Sequence, residues 1–288
     1  MWINVTKKLL PMLLVAILAA GCGEYSYLQK TSDVDYKYDA AKAYYASGRY
    51  GRACELLNSV LAPLKGTTYG EESLFLLGMA NYKHKDYESA TTYFKRYYQS
   101  YPKGDFVEQA RYYSGYSLYK QAPDARLDQQ STVEAIAEFQ TFLDLYPSTS
   151  LKSQTQEMIY TLQDKLVEKE YLSAKLYFDL GNYMTNCFYG GSNYEACVVT
   201  AQNALKDFPF ARPERREELA ILILRSKYQL ARQSVEEKRV ARFRDAIDEY
   251  YAFLNDYPES KYTAEARNIL DHAESIVKKK NLDISDPN

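Results

Sequence analysis

The sequence contains few residues whose types and spacing could support catalysis or metal binding. Its two histidines, His84 and His272, lie far apart in polar stretches, where a surface position is expected for each. The chain has no phosphate-binding loop, nucleophile elbow or glycine-rich dinucleotide turn, and no apolar pocket is evident that would raise the pKa of its many carboxylates. We therefore predict a protein that is not an enzyme and that has no catalytic residues, metal or cofactor.

Cys22 has the clearest chemical role, because it follows a secretory leader. A basic start precedes an apolar run at 9–20, which is too short to span a bilayer at ~20 residues but suits a signal peptide. The small residues 19–21 before Cys22 resemble a bacterial lipobox, although Leu18 lies one place further from the cysteine than is usual. We predict that the signal peptide, residues 1–21, is removed and that Cys22 is lipidated. The alternative is ordinary cleavage that leaves a free thiol.

Lipidation would also fix the location of the protein. Two or more acyl chains hold a protein stably at a membrane. Gly23 follows Cys22 where an aspartate would signal retention in the inner membrane, so we expect a lipid-anchored protein of the outer membrane that faces the periplasm. The formal net charge of −2 gives no field that would draw the chain to nucleic acid, and no nucleic-acid partner is expected.

The remaining cysteines, Cys54, Cys187 and Cys197, leave two interpretations open. Cys187 and Cys197 flank a Gly-Gly loop and could form a disulfide in an oxidising periplasm. The other interpretation, which we favour, is that all three are small buried apolar residues.

A repeated pattern organises the rest of the chain. Aromatic-proline pairs occur four times, at 101–102, 146–147, 208–209 and 257–258. A small residue stands twelve residues before each proline: Ala90, Ala135, Cys197 and Ala246. An aromatic residue stands eight residues before three of the prolines: Phe94, Phe139 and Tyr250. This registration resembles the tetratricopeptide repeat, a helix–turn–helix of roughly 34 residues.

The packing of helix pairs explains these positions. A small residue is needed where helices A and B of a unit press closest, and Ala41, Gly78 and Gly115 hold the matching position on helix A. Proline ends helix B because it lacks an N–H and disfavours a helical conformation at the preceding residue. No strand-like alternation competes. The sequence predicts an all-α fold, a tetratricopeptide-repeat superhelix (α-solenoid) of about five helix pairs plus a C-terminal capping helix.

The pattern also predicts the organisation of the chain. We place the five units at 34–68, 70–104, 105–150, 151–212 and 213–260, with the capping helix near 261–280. These units divide the chain into a lipid tether or linker at 22–33, N-terminal repeats at 34–150, C-terminal repeats and cap at 151–280, and a disordered tail at 281–288.

The phase of the repeat predicts a peptide-binding groove, because helix A lines the concave surface of such repeats. Equivalent positions in the first three units give the candidate residues Tyr38, Lys42, Tyr45, Phe75, Met79, Tyr82, Tyr112, Tyr116 and Tyr119. Tyr45, Tyr82 and Tyr119 are each 37 residues apart. An aromatic floor with lysines nearby suits an extended peptide that is rich in aromatic residues and ends in a carboxylate. The alternative is that these tyrosines only pack between neighbouring helices.

Three stretches of the chain resemble one family of repeat proteins. Residues 101–120 resemble its second-to-third repeat junction, and residues 127–139 resemble its third-repeat extension. Residues 165–177 are similar to the long helix that opens its fourth repeat. The family is that of the BamD-type outer-membrane protein assembly lipoproteins. The likeness covers about 35–232, whereas 233–288 add a repeat and the loop at 186–192 is longer than in the family.

The resemblance implies a scaffold subunit that catalyses no bond chemistry. Its C-terminal repeats would dock on the periplasmic domains of a BamA-type barrel insertase, and its N-terminal repeats would receive segments of nascent outer-membrane β-barrel proteins. Other lipoproteins of the assembly complex would be further partners. A tetratricopeptide-repeat lipoprotein could have two other functions. It could bind glycan or peptidoglycan, or it could be an adaptor for a periplasmic protease.

Overall fold

The computed structural model describes residues 25–183 and 192–285, with side chains described up to residue 280. The predicted lipidation site Cys22 lies outside these residues, as does Cys187, for which a disulfide with Cys197 is the less favoured alternative. The described part of the chain forms twelve helices and no strand. The helices are α1 (25–30), α2 (Val34–Ala46), α3 (Tyr50–Leu64), α4 (Gly70–His84), α5 (Tyr87–Ser100), α6 (Val107–Gln121), α7 (Gln130–Leu145), α8 (Lys152–Leu180), α9 (Asn193–Asp207), α10 (Pro213–Arg232), α11 (Glu236–Asp256) and α12 (Thr263–Ser285).

The described residues form two compact units. The first contains 25–122 and 130–159, and within it each helix from α2 to α7 packs on the next. The second contains 123–129, 160–183 and 192–285, and within it α9, α10, α11 and α12 pack in sequence. Packing of neighbouring helices in antiparallel pairs confirms the predicted all-α tetratricopeptide-type fold.

Helices A and B approach closely at two of the small residues that the repeat pattern identified. A Cβ atom added to Gly78 would lie 2.7 Å from the ring of Phe94, and one added to Gly115 would lie 2.8 Å from the ring of Phe139. Both rings are fully buried. Helix A therefore carries glycine in these two units because the aromatic ring of helix B occupies the space that a side chain would need.

Local signals fix the ends of the helices. Asp33 and Asp86 begin α2 and α5, and each carboxylate accepts a hydrogen bond from a backbone N–H three residues on. The four predicted aromatic-proline pairs directly follow α5, α7, α9 and α11, and the aromatic N–H in each pair donates to the carbonyl four residues earlier. Proline then prevents a further turn.

Carboxylates at the start of three A helices hold the loop that ends the same unit. In the second repeat, Glu71 accepts hydrogen bonds from the Tyr97 hydroxyl and from the N–H of Asp105. Thr149 donates to Glu108 in the third repeat, and Ser260 donates to Glu217 in the fifth. These contacts span 34, 41 and 43 residues. They close each helix pair at the end opposite its A–B turn.

Two ends of the array differ from the sequence-based expectation. Residues 25–30, inside the predicted flexible tether, form α1, and Leu28 is buried in the core of the first unit. At the other end α12 continues to Ser285, whereas the sequence placed the end of the closing helix near 280. The predicted tether is therefore shorter than the sequence suggested, because α1 packs on the repeats.

Candidate peptide-binding surface

The predicted binding residues lie on three A helices of the first unit, α2, α4 and α6. The structure separates them by burial. Tyr38 is 2% exposed and Tyr112 is 6% exposed, so these two rings are packing residues beneath the surface. The other seven are half-buried: Lys42, Tyr45, Phe75, Met79, Tyr82, Tyr116 and Tyr119.

Tyr82, Tyr113, Tyr116 and Tyr119 form a continuous set of ring contacts, which we call the tyrosine cluster. The ring centroid of Tyr82 lies 5.2 Å from that of Tyr113 and 5.7 Å from that of Tyr116. Tyr116 in turn stacks on Tyr119 at 5.9 Å with an interplanar angle of 12°. Offset aromatic pairs at such distances are attractive and rigid. The cluster thus connects α4 to α6 through half-buried phenol rings.

Tyrosines at the start of helix B extend this aromatic surface. Tyr45 contacts Tyr50 at 5.5 Å between ring centroids, and Tyr82 contacts Tyr87 at 5.7 Å. In both units the partner lies five residues further along the chain. The predicted binding residues did not include Tyr50, Tyr87 and Tyr113, although the repeated spacing of five residues indicates the first two.

Phe75 does not belong to the tyrosine cluster. Its ring stacks on Phe106 with centroids 4.6 Å apart and also contacts Phe94 and Tyr97. It therefore joins the core to the loop that follows α5. Met79 and Phe75 are both packed at the edge of the same core.

Two lysines lie over aromatic faces of these helices. The Lys42 ammonium is 4.5 Å from the centroid of Tyr38 and forms an ion pair with Asp39 at 3.0 Å. The Lys120 ammonium is 5.0 Å from the centroid of Tyr116 and 5.8 Å from that of Tyr119. Within the described residues, no carboxylate lies within 4.0 Å of the Lys120 ammonium. Lys120 is thus a cation beside the tyrosine cluster that can accept an anionic ligand.

Burial raises the pKa of three tyrosines on these helices. Burial, followed by the neighbouring Tyr116, raises the pKa of Tyr82 above its ordinary value, and burial raises the pKa of Tyr112 to about 12. Burial also raises the pKa of Tyr45, with smaller effects from Tyr50 and Tyr113. Each hydroxyl therefore keeps its proton at neutral pH and can donate or accept a hydrogen bond.

The other candidate groups show structural roles. Cys54 and Cys197 are free, buried thiols, and burial raises the pKa of Cys54 to about 11. His84 and His272 are exposed, and Nδ1 of His272 lies 3.0 Å from the hydroxyl of Tyr228. The residues that the structure describes contain no group of three or more histidine, cysteine or acidic side chains that could hold a metal ion. No helix among those residues has both the length and the apolar character needed to cross a bilayer.

Comparisons with known proteins identify relatives of the chain. Residues 30–187 match the model of the YfiO family, described as outer membrane lipoproteins. The chain is 29% identical over 179 residues to the putative outer membrane protein assembly factor BamD of Aquifex aeolicus, a match that covers 61% of this chain and 58% of that protein.

Two further relatives carry the name outer membrane protein assembly factor BamD. The protein from Pasteurella multocida is 24% identical over 151 residues, which are 49% of this chain and 58% of that protein. The protein from Caulobacter vibrioides is 23% identical over 172 residues, which are 58% of this chain and 56% of that protein. The chain thus spans less than two thirds of the length of each relative. Because the family model matches more than half of its residues, the chain belongs to the YfiO family of outer membrane lipoproteins.

Proposed function

We propose that this protein is a non-enzymatic scaffold subunit of the outer-membrane β-barrel assembly machinery. It is held at the outer membrane by lipid on Cys22 and faces the periplasm. Its N-terminal repeats receive unfolded segments of outer-membrane proteins, and its C-terminal repeats dock on a BamA-type insertase. The names of its relatives, together with its family membership, support the assembly role.

The observation that carries the substrate part of the proposal is the tyrosine cluster beside Lys120. Rigid aromatic rings give a peptide contact area at low entropic cost, because each ring has few rotamers to lose on binding. The neutral hydroxyls pair with peptide backbone groups, and the Lys120 ammonium pairs with a carboxylate. A strand with alternating aromatic residues and a free C-terminus offers both partners.

A peptide-binding experiment tests this proposal. A labelled peptide that copies the last strand of an outer-membrane β-barrel protein is titrated with the purified protein and followed by fluorescence anisotropy. Tyr116→Ala and Tyr119→Ala should each weaken binding about tenfold, which corresponds to ~1.4 kcal/mol for loss of one aromatic anchor. Circular dichroism establishes that each variant keeps its helical content.

Two controls sharpen the result. Tyr251→Ala removes a tyrosine that is 54% exposed on α11 of the second unit, and it should leave peptide affinity unchanged. Amidation of the peptide C-terminus should weaken binding to the wild type. The Lys120→Gln variant should bind the acid and the amide forms of the peptide with equal affinity. Unchanged affinity in both cluster variants would refute the proposed peptide site.

Docking of the insertase is tested on the second unit. This unit exposes large apolar side chains, among them Phe210 (87% exposed) in the loop before α10 and Val199 (55% exposed) on α9. A photo-crosslinking amino acid at each position should capture the insertase in membranes. Capture of a nutrient transporter or a protease instead, or saccharide binding by the isolated protein, would favour the glycan-binding or adaptor functions.

A further inference from the structure

Helix α1 is fixed to the first unit by several contacts. Leu28 is 2% exposed and belongs to the core. The Tyr25 hydroxyl and the Gln29 amide both donate hydrogen bonds to the carboxylate of Glu55 on α3. The Arg52 guanidinium lies 4.7 Å from the centroid of Tyr25. The chain therefore becomes part of the folded body at residue 25.

Two exposed tyrosines lie together at this end of the unit. Tyr27 on α1 is 62% exposed and Tyr36 on α2 is 44% exposed, with ring centroids 6.4 Å apart. Tyr36 also lines an open cleft of about 520 Å³, whose other lining residues are both apolar, such as Leu28, and polar, such as Asp39 and Arg49. An exposed aromatic pair beside a cleft with apolar and polar lining is typical of a surface that contacts a partner.

The same region carries cations that have no acidic partner. No carboxylate of the described residues lies within 4.0 Å of the charged groups of Lys30, Lys37, Arg49 and Arg52. Neighbouring carboxylates are already engaged: Asp33 caps α2, Asp39 pairs with Lys42, and Glu55 accepts from α1. Lys37 donates a hydrogen bond to the carbonyl of Gln29, and the guanidinium groups of Arg49 and Arg52 lie over the rings of Tyr44 and Tyr25, so the charges of these side chains are not neutralised by a carboxylate and can pair with external anions. Asp35 in the first turn of α2 reduces the local positive charge.

We propose that α1 and the exposed side of α2 rest in the headgroup layer of the membrane that holds the lipid anchor. The inference rests on the proposed lipidation of Cys22, since only two residues separate it from Tyr25 and the three Cα–Cα steps span at most ~10 Å when extended. If 23–33 were a free linker, as the sequence suggested, the reach would be ~35 Å. Tyrosines and basic side chains are the groups that favour the interface between water and an anionic bilayer.

Tryptophan fluorescence can locate this surface, because the only tryptophan of the chain, Trp2, lies in the predicted signal peptide. Tyr27→Trp and Tyr36→Trp each place one probe on the surface of the lipidated protein. The matched control is Tyr251→Trp, at a tyrosine of similar exposure in the second unit. Each protein is reconstituted into vesicles of phosphatidylethanolamine and phosphatidylglycerol, with and without brominated acyl chains.

The expected result is a blue shift of the emission at positions 27 and 36 and loss of intensity in brominated vesicles, with neither change at position 251. Flotation of the vesicles separates the two proposals. Protein that floats but shows the same emission at all three positions overturns the membrane contact while retaining the anchor. Protein that does not float refutes the lipid anchor and, with it, the short tether.

A second variant tests the role of α1 itself. Leu28→Ser removes the apolar contact that holds α1 on the repeats, so residues 23–33 should become a flexible linker. In that background the Tyr36→Trp probe should lose its blue shift while the protein still floats and keeps its helical content. Unchanged emission in this variant would contradict the positioning role that we assign to α1.

Discussion

Replacement of Gly78 by alanine should destabilise the first unit, although alanine is the better helix former. The new Cβ would lie 2.7 Å and 2.8 Å from two carbons of the Phe94 ring, whereas ordinary contacts begin at 3.4 Å. The ring must therefore move by ~0.7 Å to restore an ordinary contact. It has little room to do so, because Phe94 is fully buried and stacks on Tyr113 with centroids 5.6 Å apart.

The net effect is the difference of two terms. Overpacking a well-packed core costs ~1–3 kcal/mol. The exchange of glycine for alanine inside a helix stabilises by ~1 kcal/mol. We expect Gly78→Ala to lower the free energy of unfolding by about 1 kcal/mol, measured by urea denaturation with circular dichroism.

Gly51→Ala provides the matched control. Gly51 also lies in a helix, but its added Cβ would be 3.3 Å from the ring of His84, which is exposed and can move aside. This variant should be as stable as the wild type or slightly more stable. The comparison isolates the packing term from the helix-propensity term.

A double-mutant cycle provides the strictest test. In the first repeat, Ala41 and Leu57 hold the positions of Gly78 and Phe94, and both are fully buried. Phe94→Leu should therefore cost less in the Gly78→Ala background than in the wild type, with a coupling energy of ~1 kcal/mol. The reasoning fails if Gly78→Ala is at least as stable as the wild type, or if the two substitutions are additive.

Three further predictions concern stability and thiol chemistry. Glu71→Ala should lower the free energy of unfolding by ~1–3 kcal/mol, because the Tyr97 hydroxyl and the Asp105 N–H lose their hydrogen-bond acceptor. The control is Glu88→Ala, which removes an exposed carboxylate on α5, and an equal loss of stability in this variant would contradict the prediction. Burial raises the pKa of Tyr25, Tyr98 and Tyr112 from 10.0 to about 12, so the folded state holds these protons more tightly. The stability that these three tyrosines add to the folded state is fully present below pH 10 and is lost as the pH rises towards 12. The urea concentration at the midpoint of unfolding should therefore fall over this pH range, and a constant midpoint would refute the prediction. In a Cys187→Ser variant, Cys54 and Cys197 should react with a thiol reagent only after unfolding, and rapid labelling of either in the folded protein would show that it is not buried.

Much of the fold follows from local sequence signals. The aromatic-proline pairs end four helices because proline blocks the next turn, which depends only on neighbouring residues. The positions of Gly78 and Gly115 on helix A, and of Phe94 and Phe139 eight residues before a proline, were predictable from the repeat. That each ring packs on the glycine of its own unit was decided by the tertiary structure. The repeat therefore determined the helix pairs and the positions of these residues along the chain.

The degree of burial within a helix face was not predictable in the same way. The repeat placed Tyr38, Tyr45, Tyr112 and Tyr119 on the same face of their helices, but Tyr38 and Tyr112 are buried while Tyr45 and Tyr119 are half-buried. Helical phase gives the direction of a side chain, whereas its exposure depends on the side chains of neighbouring helices. The ring of Phe142 on α7, for example, lies 5.7 Å from that of Tyr112.

The sequence by itself determined the number and limits of most helix pairs and the aromatic character of the N-terminal repeats, because each is encoded in short periodic patterns. Only the tertiary structure decided that α1 docks on the repeats, that Glu71, Glu108 and Glu217 close their units, and that Tyr113 completes the tyrosine cluster. Each of these contacts joins residues about 25 to 45 positions apart. Their geometry depends on how successive helices stack, which no local pattern contains.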